Sequence, residues 1–384
     1  MPDVIIAGCG FAGATAARIL ADMGKKVYIA ERRPDIGGNM YDSKDENGIL
    51  IHHYGPHIYH TNFQRVHEFL SRFTEWVPYT HSVKGRINGK LVPVPFNFTS
   101  LNELFGQADS VKIIEKLKSS YGDKDKVSVM DLLNHEDAAI KQFGQFVFDK
   151  VFVNYTAKQW GVSVENVDKS VIDRVPVVLS YEDSYFKDFY QFMPANGFTP
   201  LFEKMLDHEN ITVELNQSIL NRVELNECEK SVYFDGKKFE GLFIYTGAID
   251  ELFDYKYGEL PYRSVDMSFE MLQIDSFQSA AVVNYPNEEN FTRITEFKNF
   301  TNQSAEEIIG RTTILREYPS PYSKDSGRIP YYPVINVDNL LRYQSYAAEA
   351  DKYGTMLLCG RLAEYKYYNM DAVISAVMDK LGAS

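Results

Sequence analysis

The chain has 384 residues, with 40 Lys and Arg against 53 Asp and Glu, a formal net charge of −13. That length calls for two or three domains with a core that needs no staples, and 45% hydrophobic against 24% charged residues excludes a disordered chain. The acidic balance excludes a broad nucleic-acid surface, which needs a basic stripe, while 26 Tyr and 25 Phe must either fill a core or line a ligand cleft.

Residues 3–8 (DVIIAG) predict a short buried strand, 11–24 (FAGATAARILADMG) a helix closed by Gly24, and 26–31 (KVYIAE) a second strand. Together they form one βαβ unit, so the chain begins with a parallel sheet. Strands of the same apolar type recur at 242–246 and 355–359, the latter followed by a helix over roughly 369–382. Between these pieces, 100–172 carries helical spacing and predicts an inserted helical domain. By contrast, 76–98, about 176–194 and 262–335 alternate β-branched or aromatic with polar residues and predict an antiparallel sheet. The fold class is therefore α/β with inserted domains. A Rossmann-like parallel-sheet domain takes 1–78, 195–250 and 336–384, a helical domain 99–172, and an antiparallel sheet domain 79–98, 173–194 and 251–335. Cys9, Cys228 and Cys359 show no metal-finger spacing, and so low a count fits a reducing compartment. No run approaches 18 apolar residues, and the first residues read as a strand rather than a basic, apolar leader. These features predict a cytoplasmic protein without a membrane span.

Gly8-Cys9-Gly10-Phe11-Ala12-Gly13 is a G-x-G-x-x-G set between strand and helix. Gly8 permits the turn, Gly10 lets a pyrophosphate approach the backbone, and Gly13 lets helix pack on strand. The anion then sits at the helix N-terminus, where amide N–H groups lack partners. Glu31, 18 residues after Gly13, is placed to accept hydrogen bonds from a ribose. Arg32, Arg33 and the doublet Gly37-Gly38, followed by Asn39, let backbone approach a long cofactor. With Gly247 after a later strand and Gly360-Arg361 before the last helix, they favour FAD over a nicotinamide nucleotide. In that arrangement Asn369, Met370 and Asp371 open a helix aimed at the flavin ring. Five of the eight histidines fall in 52–67. A metal site is set aside there, because Tyr54-Gly55-Pro56 splits the cluster and no carboxylate or thiol stands at ligand spacing. Tyr54, Gly55, His57, Ile58 and His60 instead suit a turn pressed against a bound ring system.

Ten segments then resemble one family, the prokaryotic UDP-galactopyranose mutases: GCGFAGATAARIL, RRPDIGGNMYD, HHYGPHIYHT, NYTAKQWG, DRVPV, YEDSYF, NYP, FTRITEFKNF, IPYYP and GRLAEYKYYNMD. They run in the family's order from residue 4 to about 375. YTAKQWG and FTRITE are much narrower signals than the shared glycine motif. The resemblance implies a flavoenzyme that interconverts UDP-galactopyranose and UDP-galactofuranose without net redox change, with N5 of reduced FAD as nucleophile at the anomeric carbon. It also implies a homodimer, a cellular reductant such as NAD(P)H, and a product that feeds cell-surface polysaccharide and cell wall biogenesis.

Carried over by position, Arg174 and Arg293 are the diphosphate-binding arginines. A guanidinium fork suits phosphate oxygens in a protein that is acidic overall. Phe152, Tyr155, Thr156 and Trp160 hold the uridine end, where a base needs an aromatic face. Tyr185, Tyr332 and Tyr367 reach the diphosphate with their hydroxyls, Asn284 and His60 lie near sugar and flavin, and Arg361 lies beside the cofactor. Two positions depart from the family pattern: His81 stands where Asn is expected, and Asn369 where Asp is common. His81 adds bulk and a positive charge near neutral pH, which bears on whether a 2-acetamido sugar fits. The loop 318–329 is longer than the pattern requires. A closing loop is expected near 161–184. Two other readings share the same architecture: an FAD-dependent oxidase or dehydrogenase, and a non-catalytic binding protein on a flavoprotein fold.

Overall fold

The computed structural model describes residues 1–153, 155, 158, 176–300, 303 and 308–383. Five parallel strands form its first sheet: β1 (Val4–Ala7), β2 (Val27–Ala30), β3 (Ile211–Glu214), β4 (Leu242–Tyr245) and β5 (Met356–Leu358). Their order is β3-β2-β1-β4-β5. β1 is buried on both faces, as a central parallel strand must be. Val4 and Ile6 belong to one core with helices α1 (Phe11–Asp22) and α2 (Met370–Leu381), whereas Ile5 and Ala7 join a second core with Phe243, Tyr245 and Tyr346. β3 was not expected. It is an edge strand whose residues alternate between half-buried and exposed, so it lacks the apolar run that marks its neighbours.

The second large sheet has seven strands in the order Tyr332–Pro333, Tyr262–Leu272, Thr312–Pro321, Arg293–Glu296, Val282–Asn284, Val83–Ile87 and Lys90–Val94. Its neighbours are antiparallel except at one place: Val282–Asn284 runs parallel to Val83–Gly85. No hairpin joins those two segments, so no turn dictates their direction. The stretch 176–194 gives this sheet no strand. Tyr190–Pro194 lies between Tyr59–Thr61 and Trp76–Pro78 in a separate three-stranded sheet. Val177–Val178 pairs with Lys126–Val127 beside the helices.

Helices Phe98–Phe105, Gln107–Tyr121, Val129–Leu133 and Ala138–Val147 enclose their own core, which includes Phe96, Leu101, Leu117, Leu132 and Phe143. Asn97 opens this bundle with a capping box: its side chain accepts from Ser100 N–H (2.9 Å) while Ser100 Oγ accepts from Asn97 N–H (3.3 Å). Among the described residues no helix is long and apolar enough to cross a membrane. We propose the three-domain division on this topology, with 176–194 shared between neighbours.

Candidate functional site

The turn after β1 is built by backbone contact. Gly8 has φ +93, and a Cβ on Gly13 would stand 2.0 Å from Gly8 O. Gly38 (φ +58) brings its backbone so close that a Cβ there would lie 2.9 Å from Gly10 Cα, and Gly37 N–H donates to Cys9 O (3.0 Å). The doublet therefore braces the first glycine turn. Buried Glu31 binds both pieces: its oxygens accept from Cys9 N–H (2.7 Å) and Arg33 N–H (2.9 Å). Each oxygen keeps a second lone pair for a ribose hydroxyl. Burial, with the Glu31 charge, pushes the Cys9 thiol up to about 12, so it stays protonated.

A cavity of about 840 Å³ runs from this cradle to the seven-stranded sheet. At its first end stand Gly10, Phe11, Ala12, Arg32, Arg33, Asn39, Tyr54, His57, Ile58, Gly360 and Arg361. Asn369 and Met370, at the N-terminus of α2, face the same space. A separate space of about 110 Å³ behind the turn is lined by Gly8, Glu31, Gly38 and Gly247. Arg33 lies over the Tyr54 ring (4.1 Å) and donates to Asn39 Oδ1 (2.9 Å), yet its buried Nη1 has no partner among the described residues. His57 Nδ1 is equally buried and unpartnered. Burial, with His52 and Arg361 nearby, holds His57 well below the usual histidine range, so it faces the cavity neutral. Buried polar atoms without partners are rare in folded proteins. These two, with a glycine cradle and a helix N-terminus, fit a dinucleotide carrying a planar ring system.

The other end is cationic but tightly paired. Arg293 Nη2 donates to Glu317 Oε2 (2.7 Å), the two residues standing directly opposite on neighbouring strands. Burial opposes the guanidinium charge, but the Glu317 carboxylate, with Tyr155 and Tyr332, more than offsets this and raises its pKa. Tyr155, Tyr185, Tyr332, Tyr367, Asn284 and His60 line the same wall. Burial raises the pKa of Tyr155, Tyr185 and Tyr332 against the pull of Arg293, so these phenols remain donors. Arg293 Nε and Asn284 Oδ1 are again buried without partners among the described residues. Tyr332 stacks on Tyr367 (5.8 Å, 22°), and Arg361 lies over Tyr332 (5.1 Å). An adjoining cavity of about 460 Å³ shares Tyr155, Tyr185 and Asn284 and adds Phe152 and Val151. Its aromatic wall suits a nucleobase.

His81 corrects the expectation of a positive charge. It is buried, and burial with Arg293 and His60 nearby lowers its pKa to about 3, so it is neutral at physiological pH. Its Nδ1 stands 3.2 Å from Tyr79 OH, and its ring lies against Phe186.

A family model described as UDP-galactopyranose mutase matches residues 150–367, and one described as NAD(P)-binding Rossmann-like domain matches 6–73. Similar curated proteins are a dTDP-fucopyranose mutase of Escherichia coli, 36% identical over 99% of this chain and 97% of its own length, and a UDP-galactopyranose mutase of Mycoplasma genitalium, 35% identical over 97% and 92%. The chain belongs to the UDP-galactopyranose mutase family. A crystal structure of reduced UDP-galactopyranose mutase has the same fold, with a TM-score of 0.71 at 17% identity, covering 100% of this chain and 94% of the other. The chain is thus an isomerase of an FAD-dependent family, which overrides the oxidase and binding-protein readings.

Seen as a mutase site, most positions carried over from the sequence meet around the two connected cavities. Gly8, Glu31, Gly38 and Gly247 line the separate space behind the turn, and Gly13, Gly55 and Asp371 line none of the three: Gly13 packs α1 onto the turn, Gly55 lies under Met267, and Asp371 is buried in the first turn of α2. Thr156, Trp160 and Arg174, and residues 161–175 of the expected closing loop, lie outside the described residues. Three participants were missed. Glu317 pairs Arg293, Phe186 stacks under His60 (3.6 Å, 15°), and the long loop contributes Gly327, Arg328 and Ile329 to the cavity wall. Arg328 is clamped there by two 2.8 Å hydrogen bonds to Asp266. Nothing in its strand, TTILREYPSP, which also carries Arg316, marked Glu317 in advance.

Proposed function

We propose that this mutase interconverts UDP-galactopyranose and UDP-galactofuranose with no net redox change. The carrying observation is a single cavity holding unpartnered, buried polar atoms at both ends: Arg33 Nη1 and His57 Nδ1 beside the glycine cradle, Asn284 Oδ1 and Arg293 Nε on the far wall. FAD would be held by Gly10, Arg33, Asn39, Tyr54, His57, Gly360 and the α2 N-terminus. Reduced FAD supplies there a nucleophilic N5 for the anomeric carbon.

The chain's own residues do the rest. Arg293, held by Glu317 and permanently charged, takes diphosphate oxygens, and Arg174 is the second cation in this reading. The hydroxyls of Tyr155, Tyr185, Tyr332 and Tyr367 donate to the same oxygens. Retaining the departed UDP in this way keeps its return intramolecular. Phe152 and Tyr155, with Thr156 and Trp160, take the base. We place the enzyme in the cytoplasm as a homodimer, kept reduced by NAD(P)H, with its product serving surface glycans.

The Escherichia coli relative, named a dTDP-fucopyranose mutase, favours a second substrate reading, dTDP-fucopyranose; that nucleotide carries thymine on a deoxyribose and a 6-deoxy hexose. Incubating the dithionite-reduced protein with each furanose nucleotide and separating the products by chromatography decides between them. Conversion of UDP-galactofuranose supports the first reading and exclusive conversion of the dTDP sugar the second. Conversion of neither overturns both.

A further inference from the structure

His60 is gripped from several sides. Its strand, Tyr59–Thr61, pairs antiparallel with Tyr190–Pro194, setting His60 opposite Gln191 while its neighbours Tyr59 and Thr61 are buried. The Gln191 amide donates to the carbonyls of Phe186 (3.3 Å) and Asp188 (3.0 Å), so the strand that carries it also fixes the turn leading into it. That turn lays the Phe186 ring parallel to the imidazole at 3.6 Å and puts Asp188 Oδ2 3.0 Å from His60 Nδ1. Asp188 is itself held: Asn62 Nδ2 donates to its Oδ1 (2.8 Å), and Asn62 Oδ1 accepts from Phe189 N–H (2.9 Å). The side chains of His60 and Asp188 are 12% and 23% exposed, little enough for the bond to persist against water.

We infer that Asp188, steadied by Asn62, is a positioning residue for the sugar chemistry. By accepting the Nδ1 proton it fixes the His60 ring in the tautomer whose bare Nε2 is available to a ligand in the cavity. This inference rests on the proposed ring interconversion. When the pyranose opens, the bond from C1 to the ring oxygen breaks and that oxygen gains a proton. When the furanose closes, the C4 hydroxyl oxygen bonds to C1 and its proton leaves. One proton is taken up and one released, with no net transfer of electrons. Because opening comes first, the ring oxygen takes its proton from a water molecule; the fixed Nε2 then accepts the C4 hydroxyl proton as the furanose closes and passes it back to water, and the reverse direction runs the same transfers backwards. The other tautomer would present N–H to the hydroxyl and could not accept. Parallel stacking on Phe186 keeps the ring from turning over.

The test uses the full-length protein with reduced FAD. In ¹⁵N-histidine spectra, assigned with His60→Gln, wild-type His60 should carry its proton on Nδ1. Asp188→Ala should shift that proton towards Nε2 and lower kcat about 10- to 100-fold, with KM, flavin content and unfolding midpoint held. Asp188→Asn, whose carbonyl can still accept from Nδ1, should restore the tautomer and most of kcat. A wild-type ring protonated on Nε2, or an unchanged kcat in Asp188→Ala beside an active wild type, overturns the inference. If the wild type converts neither UDP sugar, the functional reading is what fails, and the wild-type spectrum alone judges Asp188.

Discussion

Replacing Arg293 by Met while Glu317 stays in place strands a carboxylate in a wall that water scarcely reaches. The Glu317 side chain is 4% exposed, its Oε2 loses the 2.7 Å bond, and its Oε1 already has no partner among the described residues. Breaking a buried ion pair from one side costs about 3–5 kcal/mol. Arg293 is 25% exposed, so solvent will enter the space it leaves, and the lower end, about 3 kcal/mol, applies. Removing both charges should be far milder, because an uncharged pair of similar volume is often neutral in stability. Adding Glu317→Gln to Arg293→Met should therefore return about 2 kcal/mol or more. Urea unfolding of flavin-loaded protein measures both changes. Activity should follow a different course. Arg293 gives charge-assisted hydrogen bonds to the diphosphate, so kcat/KM should fall about 100-fold in the single variant and stay low in the double. Three results would refute the reasoning: a single variant as stable as wild type, a double variant no more stable than the single, or activity that returns together with stability.

His81→Asn should flatten the acid side of the stability curve. The folded pKa of His81 is lowered to about 3 from 6.5, so the unfolded chain binds its proton first. The stability tied to the neutral ring is complete above about pH 6.5 and is lost as pH falls, at up to about 1.4 kcal/mol per pH unit. Melting temperatures between pH 7 and 4 that keep the wild-type slope in His81→Asn would contradict this. Gly38→Ala should yield protein largely free of flavin, judged by visible absorbance, because the added Cβ lands 2.9 Å from Gly10 Cα at a φ of +58. Full flavin content would show that the turn can give way. Asp42→Ala should cost about 1–3 kcal/mol in unfolding free energy, because Asp42 accepts from Phe198 (2.6 Å) and Thr199 (2.8 Å) at the start of helix Phe198–Leu206. Asp42 lines neither cavity, so kcat should be unchanged in the folded fraction, and a large loss of kcat would place it in the site.

The glycine cradle was legible because its requirements are local. A positive φ at Gly8 and close packing at Gly13 follow from a strand, a turn and a helix within a few residues. β1, β2 and β4 were legible for a related reason: burial in the middle of the sheet leaves an apolar run that no surface segment imitates. The two edges differ: β5 (MLL) is half-buried throughout and keeps an apolar run, whereas β3 (ITVE) alternates half-buried with exposed and does not. In the site the same division separates residues that meet a ligand from residues that hold them. Arg293 and Asn284 could be named from the short motifs FTRITE and NYP, to which the family resemblance attaches a role. Glu317 is 24 positions from Arg293 and becomes its neighbour only through the ladder of two antiparallel strands. Asp188 is 128 positions from His60 and reaches it through a turn held by Gln191. The charge state of His81 is the sharpest case. Its residue type predicts a group that can take a charge near neutrality, yet protonation depends on water and on neighbouring charge, and the water was removed by Tyr79, Tyr185, Phe186 and Phe300 packing around it. Those four aromatics answer the compositional question left by so many tyrosines and phenylalanines: around this site they act as a dielectric as well as a wall, strengthening every charge the cleft retains.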